Sequence, residues 1–350
     1  MTATTSPGKL QIAPKYLFLL LLPVVVLTAS EYILGTFGDT SIVVPNVTRT
    51  ALSPLAELSA RYKFLSALFF FIAVAISMTA IFVFELFANH TRRSILYTLI
   101  GIFVVILVSL SFSTIEPEWM PSGFESHALL GDNLFHQALE PGQLPGCAAD
   151  GALVTMCDNK GAYFALKYLL DHANIFSSLA AAAVIAGMVL SLSNRANEEA
   201  TGHALLVSQA QSLEAAQSTV QRYLYCSGIL LTTGMVLVLS WMKWPSDMIA
   251  DEATRIAHDD MLTSLSMFRG VTYTVLILSF YLPVSLLLKT RIDAFKAKAA
   301  SAGEPELAAK LAGFDINRIA SLDAVKTILA IASPILTSAI GSFVELSLFE

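Results

Sequence analysis

Apolar residues in this chain arrive in unbroken runs about one bilayer long, set apart by short polar stretches. The first run, Tyr16 to Leu34, carries a single acid, Glu31. A second from Phe64 to Phe87 and a third from Ile95 to Phe112 are separated only by Ala-Asn-His-Thr-Arg-Arg-Ser, which predicts an antiparallel hairpin. The fourth run, Ile175 to Leu192, follows a long polar segment, and the fifth and sixth cover Leu224 to Met242 and Val271 to Leu288. Each run can cross the hydrocarbon layer as a helix, because only a helix satisfies its own backbone there. The pattern predicts an all-α, polytopic bundle of six spans with helical extensions outside the membrane.

Composition changes the picture only by excluding a soluble protein. About a quarter of an ordinary soluble domain is charged, whereas 14% of these 350 residues are charged, 55% are hydrophobic and mean hydropathy is +0.67. The net charge of −6 comes with no basic stripe, which excludes nucleic acid as a partner. The lipid bilayer is the first expected partner.

Orientation follows from Lys and Arg, which are retained on the cytoplasmic side. Thirteen lie on the side of the N-terminus and eight on the other. The expectation is an inner-membrane protein with a cytoplasmic N-terminus over residues 1–15. Lys9 and Lys15 ahead of an apolar run resemble a signal peptide, but no small-x-small cleavage pattern follows, so the run reads as a retained span. Spans one to four then occupy 16–193, with an outer loop at 113–167, and spans five and six occupy 224–288.

Between spans four and five, Asn194 to Tyr223 reads as one cytoplasmic helix, free of proline and apolar at Leu206, Leu213 and Val220, a seven-residue step. Its expected partner is Arg291 to Lys310, in the cytoplasmic tail 289–350. Farther on, Asp323 to Glu345 gathers Thr327, Thr337, Ser338 and Gly341 into a mildly polar stripe opposite Val325, Ile328, Leu329 and Leu336. Three placements fit this segment. It lies in the interface or docks on the cytoplasmic helices by its apolar face, it crosses as a seventh span, or it lines a water path in an oligomer. The first is preferred.

Candidate chemistry is sparse. Glu31, Asp171 and His172 fall near one outer mouth, where they form a candidate cation or proton site, while Glu85 sits where its carboxylate can reach the headgroups. Cys147 and Cys157 share the outer loop and form a candidate disulfide. Ser178, Ala182 and Ala186 make one row of small residues, Ala183 and Gly187 another, and such rows let membrane helices approach closely. No HExxH, GxSxG, Walker or CxxC pattern occurs. The histidines lack metal-ligand spacing, and no cofactor is identified.

These features favour a non-enzymatic membrane protein, homo-oligomeric, acting as a channel-like or effector subunit. A protein partner would meet it at the outer loop or the cytoplasmic tail. The alternatives are a secondary transporter of a small solute or ion, a sensor or scaffold, and an enzyme handling lipid or quinone.

Overall fold

The computed structural model describes residues 9–37, 54–114, 161–195, 202–244, 251–304 and 322–347, together with 246, 249, 306 and 307. These residues form helices apart from one small ladder. A short strand, β1 (Leu10–Gln11), leads into a 3-10 helix (Pro14–Leu21) that continues as α1 (Leu22–Phe37). Then follow α2 (Pro54–Asn89), α3 (Arg92–Thr114), α4 (Gly161–Leu190), β2 (Asn194–Arg195), α5 (His203–Lys243), α6 (Glu252–Ser301) and α7 (Leu322–Ser347). Among the described residues, five helical stretches are long and apolar enough to cross a membrane: Pro14–Leu34, Ser59–Asn89, His172–Leu190, His203–Lys243 and Glu252–Ser301.

α5 sits at the centre, packed against α2, α4, α6 and α7, while α1 packs on α6. Among the described residues α3 lies on α4, α1 and the 3-10 helix, and not along α2, so runs two and three, though joined by the expected tight turn, do not pack side by side. The cause is local. The N-terminal segment lies at the α2–α3 turn, where Thr91 N–H donates to the Leu10 carbonyl (2.9 Å) and Ile12 N–H donates to Ser94 Oγ (2.9 Å). Leu20 then packs onto Gly101 of α3.

β1 also pairs antiparallel with β2, Leu10 opposite Arg195. Asn194 therefore stands in a ladder where a helix was expected, and α5 begins only at His203, after Gly202 at φ 63°. Arg291 of α6 closes this end of the bundle, donating to the Leu192 carbonyl (2.7 Å) and lying over the Tyr16 ring. The N-terminal segment, the α2–α3 turn, the end of α4 and Arg291 thus share one end, as alternating crossings require.

At the same end α5 and α6 continue past the apolar band as a pair. Leu206 and Ala210 of α5 and Phe295 and Ala299 of α6 are buried, Lys298 Nζ donates to Gln209 Oε1 (3.4 Å), and His203 Nδ1 lies 2.7 Å from Glu304 Oε1. The pairing expected of these two segments is present in the fold. α6 starts at an N-cap, Asp251, whose Oδ2 accepts from Thr254 N–H at 2.8 Å. It ends at Ser301 ahead of Gly303, whose φ of 77° suits a helix C-terminus.

α7 reverses the expected placement of its two faces. Val325, Ile328, Leu329 and Leu336 point outward, whereas Ser338 and Pro334 are buried against α5 and α6. Pro334 has no N–H to give the Ala330 carbonyl, so Ser333 Oγ donates to it instead, at 2.8 Å. That carbonyl abuts Gly228 of α5, and Ser338 and Pro334 abut Gly270 of α6. Small residues on both sides let the helices touch backbone to backbone, so the polar stripe is a packing face. It runs along the apolar part of α5 and α6 and not on their extensions.

Candidate functional site

The interior of the bundle holds a cavity of about 310 Å³ lined from α1, α2, α3, α4, α5 and α6. Most of its wall is apolar, from Val24, Leu27, Phe71, Ile106, Ile185 and Leu230. It exists because α4 presents Ser178, Ala181 and Ala182 where larger side chains would fill the space. α5 adds Gly234, set against Phe71. Thr28, Asn174, Ser177 and Ser178 supply polar groups.

The charged part of the wall is a pair. Arg269 of α6 meets Glu31 of α1 through both guanidinium nitrogens, Nη1 toward Oε1 and Nη2 donating to Oε2 at 3.1 Å. The two side chains are only 8% and 9% exposed. A lone charge there costs several kcal/mol in desolvation, which a two-pronged pair offsets. Arg269, which the apolar runs leave outside the sixth span, is inside the bundle.

A second cavity of about 360 Å³ lies toward the end that carries the N-terminal segment. Glu85 of α2 accepts there from Tyr223 Oη at 2.7 Å and pairs with Arg222 Nη2 at 2.5 Å. Tyr223 is 2% exposed and its ring rests on Gly187 of α4, where a β-carbon would overlap it. Ala183 and Ala186 on the same stretch of α4 are buried in the core. One part of the small-residue pattern therefore packs helices, and another part, Ser178 and Ala182, opens a cavity.

His90 also lines this second cavity, with neither ring nitrogen hydrogen-bonded among the described residues. Burial holds its imidazole below the usual histidine value, against the opposite pull of the Glu85 and Leu190 backbone carbonyls and of the Glu85 charge.

Of the residues singled out in the sequence, Glu31 lines the first cavity. His172 is not among the described residues of its wall, although Asn174, two positions on, is. Asp171 belongs to α4, but its side chain lies outside the described residues, as do Cys147 and Cys157. Thr337 donates to the Ser333 carbonyl within α7 at 2.8 Å, Thr327 is half-buried, and the surroundings of Gly341 lie outside the described residues. Cys226 is a buried free thiol of α5. No group of three His, Cys, Asp or Glu side chains converges among the described residues.

Arg269, Tyr223 and His90 escaped the sequence reading. Glu31 and Arg269 are 238 positions apart and Glu85 and Tyr223 are 138 apart, so no local spacing links them. An acid and a base inside or beside apolar runs were the available signals. Compared with family models, curated proteins and solved structures, the chain matches none.

Proposed function

We propose that the chain is a multi-pass membrane carrier for a compact amphiphilic solute with one ionic group. The observation that carries this reading is the cavity among six helices with the Glu31–Arg269 pair on an otherwise apolar wall. Charged residues are expensive within a bilayer and, when present, mark solute or ion paths. The pair gives the cavity both a cation and an anion to offer, and its apolar remainder suits a short hydrocarbon body. In this reading α1 to α6 cross the inner membrane with the N-terminus in the cytoplasm, and α7 crosses beside α5 and α6 as a seventh.

The test is flux into proteoliposomes carrying the purified chain, with short-chain carboxylates and alkylamines as probes. At least one probe is transported by the native chain. Ala182→Trp, which fills the cavity, abolishes that flux, while Val325→Trp on the outward face of α7 leaves it intact. Equal flux through a folded Ala182→Trp protein, or none of any probe through the native chain, contradicts the proposal.

A second reading is an assembling, channel-like effector. The α5–α6 pair beyond the apolar band supports it by offering a lever outside the membrane. Native mass spectrometry separates the two, since the effector needs several copies and the carrier works as one.

A further inference from the structure

The Glu31–Arg269 pair narrows the solute to one sign of charge, an inference that rests on the carrier reading and deepens it. Arg269 holds the Glu31 carboxylate through both guanidinium nitrogens, so the position opposite its fork is shaped for a planar pair of oxygens. Both side chains belong to the wall of the cavity of about 310 Å³, and a solute held there lies beside the pair. The two partners differ in what they become when separated. A solute ammonium that takes Glu31 strands Arg269, whose guanidinium keeps its proton in proteins. A solute carboxylate that takes Arg269 strands Glu31, and a carboxylate can accept a proton and become neutral. An unpaired charge at so buried a site is the costly case, and the anion alone can enter without leaving one.

The neighbouring groups leave Glu31 as the proton acceptor. Among the described residues of the wall the titratable ones are Glu31 of α1 and Arg269 and Tyr273 of α6, while α2, α3, α4 and α5 add apolar or uncharged residues. The Tyr273 phenol already holds its proton near neutral pH. Tyr32, beside Glu31 on α1, is exposed. Of the other elements packed on α1, the 3-10 helix carries Lys15 and Tyr16 and α3 carries Arg92, Arg93 and Tyr97, all toward the end of the bundle that holds Arg291. His258, Asp259 and Asp260 precede the wall residues on α6, and His172 precedes them on α4.

We infer that the cavity takes a short monocarboxylate together with one proton. The solute carboxylate replaces Glu31 on the Arg269 fork, and the displaced Glu31 accepts a proton from water on a carboxylate oxygen. One anion and one proton enter, so the site carries the same net charge before and after, and movement of the two together transfers no net charge. The apolar wall receives the hydrocarbon body of the solute.

The test is binding of butyrate to the full chain in neutral detergent at fixed ionic strength, read as a saturable rise in melting temperature. Uptake of one proton per butyrate weakens the apparent affinity about tenfold per pH unit between about pH 6 and 7.5. Propanesulfonate, ionised throughout and unable to bring a proton of its own, shows the same slope. Glu31→Gln presents a neutral side chain from the start, so it binds butyrate without pH dependence, and butyrate raises its melting temperature more than that of the native chain. His172→Gln keeps the native slope.

Absence of stabilisation by butyrate, with or without stabilisation by propylamine, overturns the inference. So does a butyrate affinity that ignores pH, or a tenfold slope that survives in a folded Glu31→Gln chain. If Glu31→Gln does not fold, the propanesulfonate slope in the native and His172→Gln chains decides in its place: a slope in both supports the inference and its loss from either overturns it. The carrier reading is judged separately, by flux through the native chain, and survives if the solute proves to be an amine or to enter without a proton.

Discussion

Arg269 of α6 and Glu31 of α1 meet side by side inside the bundle, 238 positions apart in the chain, with Arg269 Nη2 donating to Glu31 Oε2 at 3.1 Å. The pair ties α1 to α6 at the wall of the cavity. Removing one partner leaves a buried charge without its counter-ion, which is the costly case. Arg269→Met or Glu31→Leu alone is expected to destabilise the protein by about 3–5 kcal/mol, and the double variant by much less. Chemical unfolding in mixed micelles measures all three, and a double variant as unstable as the sum of the singles refutes the pairing.

Gly187 is the seat of Tyr223. Any side chain there pushes the ring away from Glu85, so Gly187→Leu is expected to cost about 1–3 kcal/mol by overpacking. Tyr223→Phe keeps the ring and loses only the hydroxyl donated to the carboxylate, for about 1–2 kcal/mol. Thermal unfolding of both variants checks the order. A Gly187→Leu protein as stable as the native one places the ring elsewhere.

Much of this architecture is legible in the sequence, and the reason is physical. A helix that must satisfy its backbone inside a bilayer needs an apolar run of fixed length, so the five long apolar stretches stand out in the residue order itself. Their neighbours do not. Runs two and three are joined by a short connection, yet the Leu10–Ile12 segment bonds to the turn between them and α2 turns to α4 and α5 instead. A two-residue ladder such as β1–β2 is too short to leave a periodic signal. The α7 stripe was visible, but its direction was not, since serine and glycine serve equally at a water path and at a close helix contact.

The inward direction of that stripe is testable by cross-linking. In a background with Cys147, Cys157 and Cys226 replaced by serine, the pair Gly270→Cys and Ser338→Cys is expected to oxidise readily, because Ser338 Oγ lies about where a Gly270 side chain begins. Gly270→Cys with Val325→Cys is not, as Val325 points outward. A change in electrophoretic mobility reports the bond. The opposite result turns α7 around.

His90 makes stability depend on pH. Burial lowers its pKa in the folded state, so below the unfolded value of about 6.5 the unfolded chain binds the extra proton first. Its contribution is full above that pH and is lost as pH falls toward the lowered folded value. His90→Gln removes this component, and its melting temperature should fall less than that of the native chain between about pH 7.5 and 5. Equal losses in the two proteins contradict a neutral buried His90.

A solvent-reachable cavity inside the apolar bundle is tested most directly by a single cysteine at Ser178. In the same background without native cysteines, Ser178→Cys reconstituted in lipid is expected to react with a membrane-impermeant thiol reagent, and adding Ala182→Trp should block that reaction. A Ser178→Cys protein that is folded yet stays unlabelled from both sides of the membrane would show that no such cavity is open to solutes.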